Sequence, residues 1–216
     1  MSLGAPNDGA TDDAATYRVV PEASDVYVHL RPESGTLLSG LSHEHAIVAR
    51  RFSGEIRWTP ASPADCWVDI EVPIDGLVVD PPEKREALGF DKGLSEGDRK
   101  KVEKNMRAKN QLWADKYGSI RFRAVECSAL EDGVIEVRGA LTVRGVSANV
   151  ALPVQVEFDG DGLRARVEFS KVHADFGFSP YSNFLGALKN DERIDFHVDV
   201  RAKRVGTNAL NPADRR

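Results

Sequence analysis

Val146-Ser147-Ala148-Asn149-Val150-Ala151-Leu152-Pro153-Val154-Gln155-Val156-Glu157-Phe158 decides the fold class. Its even-numbered positions are all apolar, and most of its odd-numbered positions are polar or small. Such a period of two puts one set of side chains on one face of a strand. The same pattern appears on both sides of it. Val26, Val28 and Leu30 alternate with Tyr27, His29 and Arg31, and Cys66, Val68, Ile70 and Val72 with Trp67, Asp69 and Glu71. Leu163, Ala165, Val167 and Phe169 alternate with Arg164, Arg166 and Glu168, and Ile194, Phe196, Val198 and Val200 with Asp195, His197 and Asp199. The charged face must meet water, which means antiparallel strands with one wet side.

Turn chemistry separates these runs. Asp132-Gly133 and Asp159-Gly160-Asp161-Gly162 suit hairpins, and Gly145 parts Arg144 from Val146. The reading is about eight long strands near 17–31, 36–48, 50–58, 66–74, 119–128, 133–144, 146–158 and 163–176, with another at 192–203. The exception lies between Asp80 and Tyr117. Pro82 can open a short helix at 83–88 that Gly89 stops. Ser95 and Asp98 form a capping-box pattern, and Glu96–Lys100 and Glu103–Arg107 are ion pairs spaced i, i+4. These features predict a helix near 96–112. Many strands, short turns and wet outer faces fit a closed antiparallel barrel or a sandwich. A barrel of this size holds packed side chains or one small ligand. Placing Ala140, Ala148, Ala165 and Ala174 on the inward row would leave room for the ligand.

Composition narrows the function. The 216 residues are 41% hydrophobic and carry a net charge of -5, which fits one globular domain and argues against general nucleic-acid binding. No run approaches the ~18 apolar residues of a transmembrane helix. Residues 1–16 and 204–216 read as loose tails around a domain at 17–203 whose helical insert spans about 82–112. The start has no secretory signal, so the chain as written is expected in the cytoplasm, or in the periplasm if a signal was removed. Cys66 and Cys127 lie far apart without a C-x-x-C pair, and each is expected to be a small buried hydrophobe rather than half of a disulfide.

Chemical motifs are few. His43-Glu44-His45 puts two imidazoles on one face of an extended chain, a start for a metal site whose third ligand must come from His29, His173 or a carboxylate. A solvated pair is the plainer reading. Residues 99–109 hold six basic side chains and one acidic, which suit a solvated helix face better than a phosphate or membrane contact. The aromatic stretch Phe176 to Leu185 suits core packing, and Trp113 and Tyr117 suit docking of the helix onto the barrel end. No nucleophile elbow, P-loop or H-E-x-x-H is present, so no enzyme and no cofactor are expected.

Several segments together resemble the YceI-like family. They are Phe52-x-Gly54-x-Ile56, Tyr117-Gly118-Ser119-Ile120-Arg121-Phe122, Gly139-Ala140-Leu141-Thr142-Val143-Arg144-Gly145-Val146 followed by Leu152-Pro153-Val154, and Asp175-Phe176-Gly177-Phe178. Gly118 stands where that family usually has proline, and His43-Glu44-His45 is similar to a G-H-x-H variant in part of it. The resemblance implies a lipocalin-like antiparallel β-barrel with the helical insert capping one end. It implies non-enzymatic binding, storage or transport of a polyisoprenoid or other long-chain amphiphile, of the quinone or polyprenyl type. The lipid is then expected against Val68, Ile70, Val150, Leu152, Val154, Val167, Phe169, Phe176, Phe178, Phe196 and Val198, with its head near the basic helix. A homodimer is compatible with this reading. The alternatives are a packed barrel that binds a partner and a metal-binding protein that uses His43 and His45.

Overall fold

The structure is a computed structural model that describes residues 14–35, 43–60, 62–90, 93–183 and 187–206. The first part of the strand expected at 36–48, Phe184 and Leu185 of the aromatic-rich stretch, and most of both expected tails lie outside these residues. Among the described residues, twelve strands and two α-helices follow in chain order: β1 Ala15–Val19, β2 Asp25–Pro32, β3 His45–Ala49, β4 Ser53–Trp58, β5 Trp67–Pro73, β6 Leu77–Val79, α1 Pro82–Ala87, α2 Glu96–Arg107, β7 Ser119–Ala129, β8 Val134–Val143, β9 Val146–Asp159, β10 Gly162–Val172, β11 Ser182–Asn183 and β12 Leu188–Arg204.

Eight of these close a barrel. The order β1-β4-β5-β7-β8-β9-β10-β12 returns to β1 through the antiparallel pairing of β1 with β12. Closure leaves no sheet edge within that ring. The seventeen residues of β12 explain the other strands. Its C-terminal part takes β1 on one edge, while residues 190–199 take β2 there. β3 then pairs with β2, and β6 with β3. The run expected at 17–31 is thus two strands, broken by the turn Pro21–Ala23. β5 likewise leaves β7 through the turn Ile74–Gly76 and continues as β6. The helix α2 packs where β6 departs, with Met106 buried in one cluster with Leu77, Val79, Ile74 and Phe52.

Local sequence explains the helices. Pro82 opens α1, as its fixed φ allows. Ser95 caps α2 by accepting from the Asp98 N–H at 3.1 Å. Glu96–Lys100 and Glu103–Arg107 pair at 2.6 and 2.9 Å. With Lys101 on Asp98, these pairs offset much of the basic stretch and leave it a solvated face. The helix ends at Arg107, five residues before the expected end, because Ala108 is extended and the chain turns back toward Tyr117. That ring lies against the β8–β9 turn, where Arg144 and Gly145 both have positive φ, the geometry of a two-residue hairpin.

Two placements correct the sequence reading. Ala140 lies between Gly139 and Leu141 on β8 and points outward with Arg138 and Thr142, while Ala174 is exposed in the turn after β10. Neither belongs to the inward row. The cysteines are not free: Cys66 and Cys127 form a disulfide across 61 residues, with Cα atoms 5.8 Å apart. The reason is a β-bulge. β5 pairs Val68 with Ala124, but the β7–β8 register shifts between Ala124 and Glu126, so Val125 and Glu126 both point out and Cys127 turns in.

Gly139 opposes this irregularity. A Cβ there would meet the Arg123 carbonyl oxygen and come within 2.9 Å of the Ala124 Cβ. Gly139→Val should therefore cost at least ~1–3 kcal/mol of stability by overpacking. Urea denaturation checks this, and an unchanged midpoint would mean that the strands can part without cost.

Candidate ligand site inside the barrel

The barrel encloses a cavity of about 590 Å³. Val68, Ile70, Leu152, Val154, Val167, Phe169, Phe176, Phe178, Phe196 and Val198 all border it. Val150 does not. It is buried beside the wall in a cluster with Ala124 and Val137, on the strand position facing Gly139. The Phe169 and Phe196 rings stack with centroids 4.7 Å apart, from paired positions on β10 and β12. Alternation explains these placements, because the paired strands keep one register over most of their length.

The two ends of the cavity differ in chemistry. At one end Trp58, Phe158 and Leu163 border it, and the Cys66–Cys127 bridge lies in the wall. Phe158 stands 6.0 Å from Tyr17 and 6.4 Å from Trp58 between ring centroids. The other end is formed by the start of β3, the end of β2, the start of β12 and the end of β10. There α2 presents Asp98, Lys101, Val102, Asn105 and Met106, the i, i+3, i+4 stripe of one helix face. His43, His45, His173, Gln111, Tyr181 and Asn190 join them. Gln111 also ties the chain after α2 to the loop before β11, by donating to the Ser179 carbonyl at 3.2 Å.

His45 is held from behind. Asp80, 0% exposed and at φ 49, accepts from His45 Nδ1 at 2.6 Å, from the Ala46 N–H at 2.9 Å and from Arg85 at 3.1 Å. Arg85 also donates to the Glu44 carbonyl at 2.7 Å. Burial pushes the Asp80 carboxyl up, but the hydrogen bond and charge of His45, the Ala46 N–H and the Arg85 charge outweigh it and hold it below the ordinary carboxylate range. His29 is engaged elsewhere, with Nε2 3.0 Å from Glu44 and its ring 5.1 Å from that of Phe90. His43 and His45 both border the cavity, but among the described residues no group of three or more His, Cys, Asp or Glu side chains is placed to hold a metal.

Sequence reasoning reached the aliphatic wall and missed Asp80, Arg85 and the α2 stripe as parts of the site. Asp80 precedes Pro81-Pro82 and looks like a helix boundary. Its one visible signal is a carboxylate following buried Leu77 and Val79 in a short alternating run. His173 stands out in the sequence only as a candidate third metal ligand. It is 3% exposed, borders the cavity, and donates from Nδ1 to the Glu192 carbonyl at 2.8 Å.

Comparison with known proteins agrees with this architecture. The BcnA structure from Burkholderia cenocepacia superposes with a TM-score of 0.64 at 14% identity, over 86% of this chain and 99% of that one. The YCEI protein of Campylobacter jejuni superposes with a TM-score of 0.55 at 15% identity, over 74% of this chain and 85% of that one. No curated protein sequence matches the chain. The sequence profile of the YceI-like domain matches residues 17–202, which take in the closed ring, the helical insert and most of β12. The chain belongs to the YceI-like family.

Proposed function

We propose that the protein is a non-enzymatic carrier or store for a polyisoprenoid or similar long-chain amphiphile held inside the barrel. The observation that carries this reading is the apolar cavity of about 590 Å³ whose polar lining, Tyr27 and Arg57 apart, gathers beneath α2. Its size falls among ligand pockets, which run from about 300 to 1,000 Å³. The polarity gradient gives an amphiphile one orientation, with the tail toward Trp58 and the head beneath α2. Burial contributes about 0.8 kcal/mol per methylene, so a five-carbon isoprene unit contributes roughly 4 kcal/mol. Association costs of ~4–15 kcal/mol must be offset first, so several units have to enter before binding is tight. The reading assigns no catalytic residue. The disulfide favours an oxidising compartment for the protein at work, since such bridges are rare in the cytosol.

Organic extraction of the purified protein followed by mass spectrometry tests the reading. The expected result is a prenyl lipid near one per chain. Val154→Asp places a charge on the cavity wall and should abolish that lipid while the protein stays folded by circular dichroism. Folded Val154→Asp protein that keeps its lipid would remove Val154 from the site. An empty barrel that also refuses added prenylated quinones and polyprenyl phosphates would overturn the carrier reading.

A further inference from the structure

Three histidines, His43, His45 and His173, border the same polar end of the cavity, and the last two have Nδ1 engaged. His45 faces Leu30 across the β2–β3 ladder, Leu30 faces Ile194, and Ile194 faces Lys171, two residues before His173. Each of these two imidazoles is fixed through Nδ1. Asp80 takes Nδ1 of His45, and the Glu192 carbonyl takes Nδ1 of His173. Both partners are acceptors, so the Nδ1 atoms carry the protons. In the neutral ring Nε2 is then a bare acceptor. Among the described residues no group donates to either Nε2. Burial pushes His173 down, which keeps its ring neutral near pH 7 despite the Glu192 carbonyl.

We infer that the polar end of the cavity is an acceptor site, where Nε2 of His173 receives an O–H group from the ligand head, so that an alcohol or a reduced quinol is held in preference to a head that only accepts. The inference rests on the carrier reading and names the head-group class. Its physical basis is the cost of leaving a buried acceptor unmet once a tail has displaced water from the cavity. An ether or a carbonyl at the same place offers no proton. The discrimination expected is about tenfold or more.

The test uses the full chain with geranylgeraniol and its methyl ether, followed by calorimetry or the fluorescence of Trp58 at the cavity wall. The wild-type protein should bind the alcohol about tenfold more tightly than the ether. His173→Asn keeps an amide N–H near the Nδ1 position and deletes Nε2. It should bind both probes alike. Wild-type affinities within twofold of each other, or a preference that survives the substitution, would overturn the assignment. That wild-type comparison does not depend on how the variant folds. Failure of both probes to bind the wild-type protein would instead overturn the carrier reading, and the head-group assignment with it.

Discussion

Asp80→Ala is expected to cost about 3–5 kcal/mol of folding stability, the range for breaking a buried charge pair from one side. The carboxylate is 0% exposed and meets three donors from two places in the chain, at His45 and Ala46 and at Arg85. Deleting it removes a carboxylate that pairs with the buried Arg85 guanidinium and takes the acceptor from the Ala46 N–H. A loss of this size is a large part of the ~5–15 kcal/mol that holds a domain together. Denaturant titration measures it, and a loss below about 1 kcal/mol would show that Arg85 and His45 find other partners at no cost. The pH dependence has a definite sign. Asp80 sits below its ordinary value, and Asp195 is held at about 2 because Ser170, Arg31 and Arg193 outweigh its burial. Both carboxyls titrate near 4 in the unfolded chain, so their contribution is complete above that pH. It is lost as the pH falls toward 2, and the Asp80→Ala protein should lose less stability across that window than the wild type does.

Replacing both Cys66 and Cys127 by alanine is expected to cost about 4 kcal/mol. Closing a loop of 61 residues removes roughly that much chain entropy from the unfolded state. The bridge joins the start of β5 to the end of β7, next to the bulge that interrupts the β7–β8 register. Its loss should therefore loosen the wall at the aromatic end of the cavity first. Hydrogen exchange should show earlier opening at β7 than at β9 and β10. Thermal denaturation with and without a reductant provides a second measurement, in which the wild-type protein should fall to the level of the double variant. Equal midpoints for oxidised and reduced wild-type protein would mean that the bridge constrains little.

The sequence by itself determined the elements whose causes are local. A period of two over β9, β10 and β12 places Leu152, Val154, Val167, Phe169, Phe196 and Val198 around one cavity, because pleated backbone turns each side chain by half a revolution. Ser95 with Asp98, Pro82, and Arg144 with Gly145 place helix starts and a hairpin, because caps and turns are settled by a few neighbouring dihedrals. Tertiary structure decided what joins distant residues. The bulge in β7 moved Cys127 into phase with Cys66, and one extra residue in a strand is invisible to a periodicity read from either side of it. The β3–β6 pairing brought Asp80 behind His45, thirty-five positions away, so a helix boundary became the support of a cavity histidine. The register that set β8 against β9 put Ala140 outside the barrel, where the composition of the chain had suggested room within it. Strand register, barrel closure and the seating of α2 are set by packing among all of these elements at once. No short stretch of the chain contains that information.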